Sequence, residues 1–185
     1  MSEENKYTFE NEEYRQTYWH TCSHVLAQAM KRLHPEVKLA IGPSIDNGFY
    51  YDLDAPFAFT PEKLTEIEAE MRKICKEKLK LERFELPRAE AVKYMEEKEE
   101  PYKVELIRDL PEDAVISFYK QGDFIDLCAG PHVPSAGKIG AIKLMKLAGA
   151  YWRADASREQ LQRLYGTAFF KKAELDEYLH NLEEA

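Results

Sequence analysis

Long apolar runs are absent from this 185-residue chain. No stretch approaches the ~20 residues needed to cross a bilayer, which excludes a membrane-spanning helix, and the acidic start lacks the apolar core of a secretory signal. Cysteine is scarce, three in all at irregular spacing, which speaks against a disulfide framework and for a reducing compartment. Glycine (8) and proline (9) are too few for a collagen-like or low-complexity chain. A glycine-rich phosphate loop is missing as well. What is present is a 44% hydrophobic composition with 9 Phe, 11 Tyr and 2 Trp, enough for one domain or two small ones sharing a core. A globular, cytoplasmic protein is the expectation.

The net charge of -8 speaks against nucleic acid as a partner. Its distribution does not. Residues 137–172 carry 8 basic side chains against Asp155 and Glu159, while the last 13 residues carry 5 acidic and no basic ones. Screening confines each patch to about 8 Å, so a local positive field can hold a polyanion on an acidic protein. A basic strand pair balancing an acidic tail explains the same numbers.

Residues 1–14 read as a polar segment that frays or forms a short first strand, and 15–185 as the folded domain. Apolar residues recur at helical spacing from Arg15 to His34, with Pro35 as the stop. Lys38 to Asp54 reads as two strands around Asp46-Asn47-Gly48, and Thr60-Pro61 opens a helix to about Leu79. A strand at 81–86 precedes a helix at 87–98. Two strands turn at Gln121-Gly122, and two more span 142–152 and 161–169. A closing helix follows from Lys171 to Glu184, with Leu175, Tyr178, Leu179 and Leu182 on its inner side. Hairpin-joined strands with helices in separate runs indicate an α+β fold, an antiparallel β-sheet with helices packed on it.

Two residue pairs stand out. His20 and His24 lie four apart on the first helix, so both imidazoles leave one face. Cys128 and His132 have the same separation across a strand end and a Gly-Pro turn. Thiolate and imidazole are ligands that zinc prefers, and all four together would make a closed structural site. A metal-free site, with histidine as base, uses the same residues. Spacing alone also allows hydrogen-bonded core histidines. Cys22 and Cys75 read as structural.

Longer strings add a resemblance. Trp19-His20-Thr21-Cys22-Ser23-His24, Ala40-Ile41-Gly42-Pro43 through Tyr51-Asp52, and Tyr102-Lys103-Val104 resemble the editing domain of bacterial-type threonyl-tRNA synthetase. So do Asp126-Leu127-Cys128-Ala129-Gly130-Pro131-His132, Ala148-Gly149-Ala150-Tyr151-Trp152-Arg153 and Leu161-Gln162-Arg163-Leu164-Tyr165-Gly166-Thr167. The match runs in order from about residue 18 to the end. It implies the fold shared by threonyl- and alanyl-tRNA synthetase editing domains. The implied activity is hydrolysis of serine wrongly esterified to threonine tRNA, needed because one methyl group distinguishes the two amino acids by only about 1–3 kcal/mol.

The resemblance places His20, His24, Cys128 and His132 in the catalytic site. Lys103 would position or activate water, and Asp126 would orient a histidine or hold the substrate amine. Tyr51 would form the substrate pocket wall. By themselves Lys103 reads as a surface lysine, Asp126 as a strand end and Tyr51 as a core aromatic. Lys143, Lys146, Arg153, Arg158 and Arg163 would contact tRNA phosphates, which fix register without reading sequence. Threonyl-type sites imply no required cofactor; alanyl-type sites imply zinc on His20, His24, Cys128 and His132. The implied partners are the acceptor end of threonine tRNA carrying serine and the rest of a synthetase, with no membrane. Motifs for ATP-dependent aminoacylation are not found, so an excised editing domain is expected before a free-standing one. A zinc-dependent alanyl-type hydrolase and a non-catalytic tRNA-binding module are the alternatives.

Overall fold

A computed structural model describes residues 10–184. Helix α1 (Glu12–Leu33) begins where Asn11 Oδ1 accepts the Tyr14 amide at 3.1 Å. Glu12 and Glu13 in its first turn and Lys31 and Arg32 in its last complement the helix dipole. From Tyr18 to Met30 every residue but His20 is buried, so α1 is a central helix rather than a surface one. Its buried polar residues are held by hydrogen bonds: Thr21 to the Thr17 carbonyl at 3.0 Å, Gln28 to the Gln121 carbonyl at 3.1 Å.

Beneath α1 lies an antiparallel sheet of five strands. It contains β1 (Lys38–Leu39), β2 (Ser44–Ile45), β3 (Gly48–Asp54), and, from the end of the chain, the long ribbon described next. Helix α2 (Pro61–Lys76) follows, capped by Thr60, whose hydroxyl accepts the Lys63 amide at 3.2 Å. Strand β4 (Leu81–Glu85), helices α3 (Arg88–Glu97) and α4 (Pro101–Asp109), and strands β5 (Ser117–Gln121) and β6 (Phe124–Leu127) form a second unit. Strands β7 (Ala141–Tyr151) and β8 (Gln160–Phe169) make the ribbon, and α5 (Lys172–Glu184) closes the described chain. The large sheet runs β1-β3-β8-β7 with β2 also on β3; the small one runs β4-β5-β6.

Each sheet has its own core. The larger gathers α1, α2 and the five-stranded sheet around Trp19, Leu26, Phe49, Tyr51, Met71 and Leu164. The smaller packs α3 and α4 on the three strands through Ala91, Met95, Ile107 and Phe118. Trp19 Nε1 donates to the Ala168 carbonyl at 2.8 Å, tying α1 to β8. Among the described residues no helix is long and apolar enough to cross a membrane.

The α+β class and antiparallel pairing hold, but the helices pack on two sheets instead of one. Helix α4 was not among the expected elements. Proline starts it and it spans only 9 residues, too short for a periodic stripe to declare itself. Helix α2 stops three residues before Leu79, with Lys78 at φ 55°. The expected inner face of α5 is also thinner than the sequence suggests: Leu175 is buried, whereas Leu182 is 45% exposed. The expected boundary at 14/15 falls inside α1, and residues 1–9, where a first strand or frayed segment was expected, lie outside the described part.

Candidate active site

The two cores meet along a cleft, and the residue pairs meet in it. His20 and His24 come from α1, Tyr51 from β3, Lys103 from α4, Asp126 from β6, and Cys128 and His132 from the loop after it. All except His132 line one cavity of about 280 Å³, together with Ile41, Gly42 and Pro43. Gly42 has to be glycine there, because a Cβ would overlap the Tyr51 ring. Gly130 sits at φ +80° with Tyr119 against it, so only glycine turns the chain from Cys128 back to His132.

Asp126 is the hub of the inner half. Its Oδ2 accepts the Tyr51 hydroxyl at 2.7 Å and lies 3.1 Å from His24 Nδ1, and its Oδ1 lies 2.9 Å from Lys103 Nζ. Lys103 also reaches the Tyr51 hydroxyl at 2.9 Å. Burial by itself would raise the Asp126 carboxyl, but Lys103 and His24 outweigh it and hold it well below the usual range. Burial pushes the Tyr51 phenol well up. His24 loses some of its charge preference to burial, yet Asp126 lifts it to about 9. At neutral pH this half holds a carboxylate, an imidazolium and the Lys103 amine with no water between them.

The outer half surrounds sulfur. Cys128 Sγ lies 3.4 Å from His20 Nε2 and 3.2 Å from His132 Nε2, and accepts the Gly130 amide at 3.2 Å. Burial opposes the thiolate, but hydrogen bonds from His132, His20 and His24 bring the thiol down to about 3. Burial and the charge on His24 push His132 down to about 4, so it is neutral. Backbone and hydroxyl partners fix the tautomers. His20 Nδ1 faces the Pro131 carbonyl at 3.2 Å, which can only accept, so Nδ1 carries the hydrogen. Thr21 already donates to Thr17 O and accepts the Val133 amide, so His132 Nδ1, 3.0 Å away, donates to it. With Nδ1 committed in both rings, the two Nε2 atoms face the sulfur, and a proton shared between Sγ and a ring is what binds the cluster. A cluster this rich in lone pairs takes a proton from water, or a cation.

One donor atom from each of His20, His24, Cys128 and His132 can be chosen so that all four lie within 4.8 Å of one another. The donor types suit zinc. A larger cavity, about 720 Å³, lies elsewhere, between α3 and α4; it holds Glu96, Glu99, Glu100, Glu105 and Asp109 and none of these residues. Size and chemistry disagree, and the chemistry marks the smaller cleft.

A family model described as "Threonyl and Alanyl tRNA synthetase second additional domain" matches residues 116–165, which supply Asp126, Cys128 and His132. The threonine–tRNA ligases of Clostridium kluyveri, Clostridium acetobutylicum and Clostridium botulinum (strain Kyoto) are 67%, 68% and 70% identical to the chain over 178 residues. This chain is a threonyl-tRNA synthetase homologue. The aligned part is 96% of the chain and 28% of each ligase, so the chain spans under a third of these curated relatives.

In this homologue the basic candidates do not gather at the cleft. Arg153 pairs with Asp109. Arg158 grips Glu105 at 2.8 and 3.0 Å, and Arg163 grips the buried Asp52 at 2.8 and 3.0 Å. Lys143 is 4.0 Å from Glu68, and Lys146 lies over the Tyr165 ring at 4.9 Å. Four of the five charges are paired with carboxylates of the same molecule, Lys143 the most loosely. Asp126 is likewise fully engaged by Tyr51, His24 and Lys103, which makes orienting those groups its visible work. Sequence reading passed over Thr21 and Pro131, although both lie inside the quoted motifs. Their signal was position alone, beside His20 and His132.

Proposed function

We propose that this domain hydrolyses the ester joining serine to the 3′ end of threonine tRNA. The observation that carries the reading is the convergence of His20, His24, Cys128 and His132 beside the Asp126–Lys103–Tyr51 network in a cavity of about 280 Å³. The serine carbonyl enters that cavity with a water beside His20. His20 Nε2 takes the proton as the water oxygen adds to the carbonyl carbon. Protonated His24 and the Lys103 amine face the negative charge that develops on the carbonyl oxygen. The ester C–O bond then breaks, and the ribose oxygen leaves with the proton held by His20. Cys128 holds the imidazoles in place, and Tyr51 walls the pocket. A cavity that admits serine and crowds the extra methyl of threonine would supply the second sieve.

The rest of a synthetase and the acceptor end of tRNA are the partners this reading requires. Lys143 and Lys146, both exposed, are its best candidates for phosphate contact. The four-donor cluster supports a second reading, in which His20, His24, Cys128 and His132 hold zinc. Zinc would supply Lewis acidity toward water or the ester, and the chain's own part would be to hold the four donors together. Deacylation of seryl- and threonyl-tRNA, with and without chelator, separates the readings. Selective loss of serine that resists chelator is expected, and it should vanish in the His20→Ala, His24→Ala double variant. Loss abolished by chelator would favour zinc. Activity unchanged in the variant would end both.

A further inference from the structure

The Lys103–Asp126 pair has two faces. One lines the candidate cleft, and the other lines a rear cavity of about 350 Å³. Lys31 of α1 and Glu100, the residue before α4, stand on the wall of that rear cavity. With open space at its back, Lys103 is held forward by its bonds to Asp126 and Tyr51, both 2.9 Å, more than by packing. Glu100 is the rival for those bonds. It is buried, and it lies three residues before Lys103, on the same side of the first turn of α4. A buried carboxyl needs partners. Glu100 Oε1 accepts Lys31 Nζ at 2.6 Å, and its Oε2 accepts the Leu39 amide at 2.9 Å. Burial pushes this carboxyl up; Lys31 acts most strongly against burial, then the Leu39 amide, and Lys103 adds to them at longer range.

Resting on the editing reading, we propose that Lys31 is a positioning residue for the reaction. By engaging Glu100 it leaves the Lys103 amine to Asp126 and Tyr51, on the side where the carbonyl oxygen gathers charge. Lys31 is itself anchored, donating to the Pro35 and Val37 carbonyls at 3.0 and 2.9 Å. Lys98, the other basic residue on the rear cavity, is exposed and lies over the Tyr94 ring at 5.1 Å. Once Lys31 is removed, Glu100 competes with Asp126 and draws Lys103 back, and the cleft loses a donor. Helix α4 stays in place meanwhile, because the Tyr102 hydroxyl donates to Asp54 Oδ2 of β3 at 2.5 Å.

The test is single-turnover deacylation of seryl-tRNA at saturating protein, in a cycle of Lys31→Met, Lys103→Met and the two together. Lys31→Met should lower the plateau about tenfold, short of the about 10²–10³-fold that loss of a charge-stabilising donor costs. In the Lys103→Met background it should cost nothing more, because its effect runs through Lys103. Adding Glu100→Gln to Lys31→Met should restore most of the plateau, since the rival is gone. A merely structural pair would shift the urea midpoint and leave the plateau of the folded protein alone. Lys31→Gln is read by the same criteria if Lys31→Met does not fold. An unchanged plateau in Lys31→Met, or an equal loss in the Lys103→Met background, would overturn the assignment. The nitrogen NMR signal of Lys103 Nζ, identified by its loss in Lys103→Met, needs no substrate. It should move in Lys31→Met and return when Glu100→Gln is added; a signal that stays put would overturn the positioning role. The expected movement in a wild type that does not hydrolyse seryl-tRNA would sink the editing reading and leave the hold of Lys31 on Lys103 standing.

Discussion

The cleft and the β7–β8 ribbon treat charge in opposite ways. In the cleft, His24 and Asp126 are 102 positions apart in the chain yet sit 3.1 Å apart, almost dry, and each moves the other's protonation. In the ribbon, Arg153, Arg158 and Arg163 are near neighbours in sequence, yet each turns to a different carboxylate from another element. Proximity in sequence says little about field. What matters is whether folding takes several charges out of water and sets them against one another, as the cleft does with His24, Lys103 and Asp126. The proposed chemistry sits there, and the ribbon's pairs are mostly structural.

The strongest way to break this contrast is Asp126→Asn. It leaves His24 and Lys103 without their shared counter-charge in a buried place, so stability should fall by about 3–5 kcal/mol in urea unfolding. Seryl-tRNA deacylation should fall with it. His20→Ala should cost about 10²–10⁴-fold in single-turnover deacylation. That variant should keep its unfolding midpoint, since His20 is only partly buried. A small effect of Asp126→Asn on both readouts would erase the difference between the two regions.

The pH response sharpens the same contrast. His24 has a folded pKa raised to about 9, so its contribution to stability is complete below its unfolded value near 6.5 and is lost as pH rises to 9. Cys128, lowered to about 3, runs the other way: its contribution is lost as pH falls and complete above about 8.5. Between about 6.5 and 8.5 the two offset each other. Urea midpoints of the wild type should therefore climb from pH 3, level off, and decline toward 9. Cys128→Ala should remove the offset and show a fall from pH 6.5 upward. A flat profile in that variant would contradict the raised pKa of His24.

How much of this was legible in the sequence divides along the same line. The long elements declared themselves: α1, α2, β3, β7 and β8 follow from periodicity, Thr60 and the Asn47-Gly48 turn. The two residue pairs were visible, and their meeting was foreseen from the motif strings. The strands at 81–86 and around Gln121-Gly122 were visible, but not that they form a sheet of their own, which is a matter of tertiary pairing; α4 was not, because a 9-residue helix gives no period to count. Ion pairs could not be read at all. Nothing in the string around Arg163 names Asp52, because that pairing is set by the β3–β8 register. Thr21 escaped for a different reason: a threonine inside a buried helix looks like filler until His132 Nδ1 is found beside it.

Thr21→Val tests that last contact. It strands the His132 Nδ1 hydrogen and the Val133 amide, and should cost about 1–3 kcal/mol of stability. His132 is then free to switch tautomer, which histidine chemical shifts would report. The smallest effects belong to the ribbon. Arg158→Ala breaks the pair that brings Glu105 down to about 2, yet the pair lies at the surface where water screens it, so the urea midpoint should barely move. Lys143→Ala with Lys146→Ala should weaken tRNA binding alike for every sequence, and lower the salt slope by about 1 for each phosphate lost.

Single-turnover deacylation of seryl-tRNA, run across protein concentration for the wild type, His20→Ala and the Lys143→Ala, Lys146→Ala pair, tests the central claim most directly. The account predicts that His20→Ala lowers the plateau rate by at least about 10²-fold. The lysine pair should reach the wild-type plateau and only require more protein to do so. A plateau that survives His20→Ala, or one lost with the two lysines, would place the chemistry outside the cleft and contradict the account.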